Sequence, residues 1–305
     1  MIRYLGTRLL QAFASILGVA TAVFFLARMT GDPIALLLPD SATTEMRDRL
    51  RAMLGLDKPL WQQYVDFLHN LVTFDFGTSL RTGRPVAEML SQALPATAGL
   101  AAVSLIIIIL FAIPLGILGA MHRGKLVDSF GRLIALLGQS LPSFWLGIVL
   151  ILIFGVFLHW LPVAGSRYWT SYILPAVTIG LVPVAGIVRL TRSSMLEVMK
   201  ADYLMMAAAK GVPRNRIVVK HALRNALIPV LTFTGLTLCY LLNGSVVVEN
   251  VFAWPGLGRM ILDSVTFRDF PTITGVVMTI AFVYSLVNFL VDVLYGLIDP
   301  RIRYR

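Results

Sequence analysis

Residues 119–126, Gly-Ala-Met-His-Arg-Gly-Lys-Leu, come within one side chain of the phosphate-binding loop G-x-x-x-x-G-K-[ST]. That loop needs a hydroxyl after its lysine to hold Mg²⁺, and it must follow a buried strand that aims backbone N–H groups at phosphate. Leu126 carries no hydroxyl, and an apolar run of membrane-helix type precedes the segment. It reads as a helix end with a basic turn. The chain is therefore expected to bind no nucleotide, metal or other cofactor of its own, to hydrolyse no ATP alone and not to be an enzyme.

Hydrolytic chemistry inside a membrane fares no better. A serine mechanism needs Ser and His to meet in a wet cavity, and His69, His122, His159 and His221 all fall in loops or at span ends. A di-aspartyl mechanism needs two embedded acids, and Asp292 alone qualifies. No His/Cys/Asp cluster has metal-ligand spacing. The single cysteine, Cys239, allows no disulfide within one chain and reads as a small buried hydrophobe. Asn243-Gly244-Ser245 matches a glycosylation sequon but lies inside an apolar span, a chance match.

The polar residues within the apolar runs are Gln139, Ser140, Ser143, Asn243, Ser245, Glu249, Asn288 and Asp292. Intramembrane polar groups are functional hypotheses by default. Taken singly, small and amide residues read first as links between helices. As lining of a translocation path, the candidates are Gln139, Ser143, Asn243 and Glu249. The spans hold too little charge for a proton relay, which weakens the alternative of a stand-alone ion-coupled carrier or channel.

What must position these residues is a set of membrane helices. The chain has 305 residues, 57% hydrophobic and only 14% charged, with mean hydropathy +0.81. A soluble domain carries about 25% charged residues, so a polytopic membrane protein is the expected class. A span needs about 20 mostly apolar residues. Six stretches qualify: residues 8–28, 96–121, 133–160, 173–190, 228–248 and 272–298. The third contains Pro142, tolerated as a kink within one span. The first resembles a signal peptide, but its apolar run continues past Ala20-Thr21-Ala22, and it reads as an uncleaved helix.

The net charge of +10 is placed between the apolar runs, which the positive-inside rule explains. Sixteen basic residues fall on one side of the expected topology and three, Arg167, Arg259 and Arg268, in the short loops of the other. Both termini are therefore expected in the cytoplasm. No nucleic-acid motif accompanies the charge. Residues 29–95 form a polar extracytoplasmic insertion. In it residues 44–54 have helical composition, and Pro59 opens a helix whose Trp61, Tyr64, Leu68 and Leu71 lie on a membrane surface, pack on span ends or form the ordinary core of a small subdomain. Trp160, Tyr168, Trp169 and Tyr172 read as interfacial aromatics. Residues 252–258 carry turn chemistry and form a fixed lid in the loop after the fifth span.

The longest polar segment of the second half is the loop 189–228, with eight basic residues and two acids, Glu197 and Asp202, up to Pro229. Ser193 or Ser194 is expected to cap a helix running through residues 195–199. A second short helix is expected from Tyr203 to Lys210, favoured by the alanines 207–209 and ended by Gly211. Pro213 suits the first turn of the next helix. Tyr203, Leu204, Met205 and Met206 are expected to be exposed on this lever, a costly arrangement in water and hence a docking surface.

At these residues the chain resembles a known family. Asp202-Tyr203, Ala207, Ala209-Lys210-Gly211 and His221-Ala222-Leu223-Arg224-Asn225-Ala226-Leu227-Ile228-Pro229 are similar to the cytoplasmic loop of inner-membrane permeases of bacterial ABC importers, dipeptide/oligopeptide/nickel branch. The resemblance covers essentially the whole chain through Gly31-Asp32-Pro33, Phe76-Gly77-Thr78-Ser79, the run Leu141-Pro142-Ser143-Phe144-Trp145-Leu146-Gly147, Val251-Phe252, Pro255-Gly256-Leu257-Gly258 and Asp299-Pro300-Arg301-Ile302-Arg303. The broader superfamily pattern E-A-A-x-x-x-G-x(9)-I-x-L-P fits less well: aligned on Gly211, only Ala207, Gly211 and Leu223 match, and Met205 stands at the acidic position. No role of that acid is carried over to Met205.

The resemblance implies an all-α protein with six transmembrane helices: a first helix (1–28), an extracytoplasmic subdomain (29–95) and a five-helix core (96–305). It implies a pore subunit in the bacterial inner membrane that pairs with a second, different permease and moves small peptides or related solutes by alternating access. Two ATP-binding subunits would hold ATP and Mg²⁺ and receive Tyr203, Leu204, Met205, Met206, Ala207, Ala208, Lys210 and Gly211. An extracytoplasmic solute-binding protein would deliver the cargo.

Overall fold

The structure, a computed structural model, describes residues 2–29, 43–53, 55–213 and 216–298, with side chains except at 2–5, 50, 53, 243, 244 and 294–298. The motifs Gly31-Asp32-Pro33 and Asp299–Arg303, the basic residue Arg214, the basic terminal tail and the side chains of Arg3 and Asn243 lie outside the described residues. The described chain is helical throughout, with one isolated β-bridge between Thr78 and Pro85. It forms two compact units, Met1–Ala96 with Pro255–Phe289, and Thr97–Trp254 with Leu290–Arg305.

The first unit contains α1 (Ile2–Met29), α2 (Thr44–Met53), α3 (Leu60–Val72), the start of α4 (Val86–Met121), α10 (Leu257–Thr266) and most of α11 (Phe270–Ile298). Pro59 opens α3 as expected, its carbonyl accepting from the N–H groups of Gln62 and Gln63. The α3 stripe packs on the end of α1: Tyr64 and Phe67 lie 5.0 and 5.5 Å from the Phe24 ring. The Tyr64 hydroxyl is 2.7 Å from that of Thr21. Trp61 does not join this contact and stays exposed.

The Phe76–Ser79 motif has a physical basis. Gly77 adopts φ +74°, which lets the chain double back so that Val86 N–H reaches the Gly77 carbonyl at 3.0 Å. Ser79 and Thr272 donate hydroxyls, and Leu80 its N–H, to the buried Asp269 carboxylate. Val86, Leu90 and Ala93 then pack with Leu257 of α10 and Val276 of α11. The loop after the fifth span contains a ten-residue helix that begins at the end of the expected lid. Its Leu257, Met260 and Ile261 recur at helical spacing and join this core.

The second unit holds the rest of α4, then α5 (Leu126–Ser140), α6 (Ser143–Leu150) running into the wide turn Ile151–Phe157, α7 (Ile173–Val198), α8 (Asp202–Ala209), the wide turn Ile217–Ala222 and α9 (Leu223–Val251). The expected third span, 133–160, is not one kinked helix. It starts at Leu126 and bends by 112° between Ser140 and Ser143. Pro142 has no N–H to donate and drives the preceding residue out of helical space; Leu141 sits at φ −92°, ψ 127°. Among the described residues, five helices are long and apolar enough to span a membrane, and six if this bent pair is one span.

Helix α7 is the most buried of the spans, packed on α5 and α9. The α5 crossing is close: a Cβ on Gly138 would stand 2.6 Å from the Leu181 carbonyl oxygen. The cap expected at Ser193 or Ser194 does not form. Ser193 instead bonds back to the Leu190 carbonyl at 3.0 Å, and α7 runs unbroken to Val198. The cause is its buried face, which continues through Ile187, Val188, Thr191 and Met195 at helical spacing.

Candidate functional site

The connection from α7 to α9 carries the expected short helix, α8. Its end is built locally. Lys210 and Gly211 donate their N–H groups to the carbonyls of Met206 and Ala208, and Val212 to that of Ala207. Gly211 takes φ +77°, the left-handed conformation that closes helices and that glycine adopts without a Cβ clash. The carbonyl of Pro213 then accepts from Arg216 and Ile217, opening the next helical stretch.

The faces of α8 differ sharply. Leu204, expected outward, is only 4% exposed and anchors a cluster with Ala120, Met195, Val218, Ala222 and Ala226. An eight-residue helix cannot hold its place by propensity alone, so one side chain must tie it to its neighbours. The second tie is the Tyr203 hydroxyl, which accepts from Asn225 Nδ2 at 2.7 Å. Met205 and Met206 remain 58% and 64% exposed, Tyr203 is partly exposed, Ala208, Lys210 and Gly211 are exposed, and Ala207 is half-buried.

The four path candidates have different surroundings. Gln139 is exposed near the end of α5 and lines a cavity of about 360 Å³ with Asp128, Arg132, Arg189 and Arg192. Ser143 is half-buried, the first residue of α6. Asn243 lies on α9. Glu249 is wholly buried; its carboxylate accepts from Thr97 Oγ1 at 2.8 Å. The backbone carbonyl of Glu249 accepts from Trp254 N–H at 2.7 Å, and the buried Trp254 ring meets Tyr172 edge-on at 4.5 Å. Tyr172 is therefore a packing residue, whereas Trp160, Tyr168 and Trp169 are exposed.

Asp128 escaped sequence reasoning. It is 2% exposed, yet Arg192 grips it through two bonds, Nε to Oδ1 at 2.6 Å and a terminal nitrogen to Oδ2 at 3.0 Å. Gly124, at φ +77°, adds its N–H at 3.0 Å. The turn that resembled a phosphate loop thus cradles a carboxylate of its own chain. The available signal was that Asp128 is the one acid in a basic connection.

The fold is similar to that of chains of solved ABC importers. The fold matches 69% of this chain to 96% of a chain of the inward-facing MetNI methionine ABC transporter, with TM-score 0.55 and 20% identity. It matches 68% of this chain to 94% of a chain of an amino acid ABC transporter crystallised with histidines, with TM-score 0.54 and 17% identity. At the level of sequence, residues 112–304 match the family described as binding-protein-dependent transport system inner membrane component. Residues 1–101 match its N-terminal membrane component. The chain is 42% identical over 306 residues to the glutathione transport system permease protein GsiC of Salmonella typhimurium LT2, and 41% to that of Escherichia coli K12, covering all of both chains in each case.

The chain therefore belongs to the binding-protein-dependent transport system inner membrane components. It is a multi-pass protein of the bacterial inner membrane and a pore-forming permease subunit of an ABC importer. ATP is hydrolysed on separate ATP-binding subunits, and a substrate-binding protein serves the pore.

Proposed function

We propose that this chain pairs with a second, different permease to pass short peptides or peptide-like solutes of the glutathione class. The supporting observation for the cargo is the full-length likeness to the glutathione permeases. The observation that carries the coupling role is α8: tied down through Leu204 and Tyr203, yet bare at Met205 and Met206. In this reading the termini and the α7–α9 connection are cytoplasmic, and residues 203–211 sit on an ATP-binding subunit. ATP and Mg²⁺ are held by those subunits and by no residue of this chain. ATP binding favours one of two pore states, and α8 conveys the bias because it is rigidly joined to α7 and α9. Gln139, Ser143, Asn243 and Glu249 remain candidates for the path.

Reconstitution in proteoliposomes with both permeases, the ATP-binding pair and the cognate binding protein tests this. ATP-dependent uptake of labelled glutathione or dipeptide is expected, and deletion of 203–211 should release the ATP-binding subunits. Uptake by this chain alone down an ion gradient would overturn the reading, as would continued co-purification after the deletion.

A further inference from the structure

We propose that the cavity among α4, α5 and α7 binds the phosphate of an anionic phospholipid. Its charged lining is three guanidinium groups, Arg132, Arg189 and Arg192, against one carboxylate, Asp128. Both oxygens of Asp128 are already committed to Arg192 and to the Gly124 N–H. Arg132 approaches the same carboxylate only at 3.6 Å and is largely exposed. Arg189 makes no hydrogen bond or ion pair among the described residues. The cavity thus carries two positive charges more than it neutralises. Arg132 and Arg189 are both exposed at the cavity, so an anion can reach either guanidinium without displacing Asp128.

The lining also includes hydrocarbon. Leu115, Leu136 and Val188 stand one helical turn from Gly119, Arg132 and Arg192, while Arg189 sits beside Val188 and Gln139 beyond Leu136. Residues four apart share a helix face, so the three helices present hydrocarbon next to their charged and polar groups along the cavity. A phospholipid brings acyl chains as well as a phosphate to such a mixed lining, whereas free phosphate would leave Leu115, Leu136 and Val188 unused. Basic pockets between membrane helices are suited to anionic headgroups, and guanidinium matches phosphate oxygens in pairs. The site needs no assumption about the transported solute.

The test uses the assembled transporter in neutral detergent, titrated with phosphatidylglycerol, phosphatidylcholine or inorganic phosphate. Thermal unfolding and lipid retention in native mass spectrometry are read. Phosphatidylglycerol is expected to raise the unfolding midpoint and be retained, while the other two do neither. The double variant Arg132→Gln, Arg189→Gln should retain it about tenfold less, each basic group near an anionic headgroup contributing several-fold. Arg189→Lys should keep most of the effect. If the double variant fails to assemble, Arg189→Gln alone decides on the same readouts. Equal responses to phosphatidylcholine or to inorganic phosphate would overturn the proposal. So would unaltered retention in the variant that decides. None of these readouts depends on transport, so the permease reading stands or falls separately.

Discussion

Two turns of the second unit treat similar side chains in opposite ways. After α7, residues 202–211 hold Leu204 inward and leave Tyr203, Met205 and Met206 partly or largely in the open. After α9, residues 252–254 bury both aromatics, Phe252 at 1% and Trp254 at 0% exposure. Each turn uses one left-handed residue, Gly211 at φ +77° and Ala253 at φ +47°. The difference lies in the surroundings. The second turn is closed by its own chain: Gly165 donates to the Phe252 carbonyl, Trp254 to that of Glu249, and Tyr172 covers the indole. The first has one apolar anchor and one polar tie. In the proposed coupling role, the uncovered Met205 and Met206 are the surface that an ATP-binding subunit covers.

That contrast can be broken from either side. Trp254→Ala has the largest expected effect on the fold, about 3–5 kcal/mol for removing a fully buried aromatic. It would appear as a lower unfolding midpoint, with the surviving folded protein still binding the ATP-binding subunits. Leu204→Ala comes next, at about 2–3 kcal/mol, and should also speed amide exchange across 202–211, because that side chain holds α8 to its neighbours. Gly211→Val forces a β-branched residue into left-handed space, at about 1–2 kcal/mol. Insertion should survive while transport is lost, since α8 would be aimed wrongly. Smallest on stability is the pair Met205→Ser with Met206→Ser, within about 0.5 kcal/mol as for exposed positions. It should nonetheless weaken co-purification of the ATP-binding subunits most per unit of stability lost. Unchanged co-purification there would erase the distinction between the two turns.

Much of α8 was legible because its signals are local: three alanines, a closing glycine and a proline just beyond. The membrane spans were legible because composition reports them directly. The cap at Ser193 or Ser194 misled, since capping competes with burial and Met195 is fully buried on the continuing face of α7. Pro142 read as a kink within one span; the 112° bend goes with the close crossing of α5 on α7, where Gly138 admits the Leu181 carbonyl. The Asp128–Arg192 pair, 64 residues apart, leaves no trace in local spacing. The inward turn of Leu204 was equally hidden, because all four of Tyr203, Leu204, Met205 and Met206 suit an exposed apolar face by type.

The sequence by itself determined the class of protein, the apolar spans, the short helix and its glycine stop, for these follow from composition and from interactions within a few residues. Only the tertiary structure decided which side of α8 is anchored, that Glu249 is sealed beside Thr97, and that Asp128 is matched to one of several arginines. Those are choices among chemically equivalent residues, and burial makes them: a side chain's role depends on which distant atoms exclude water from it.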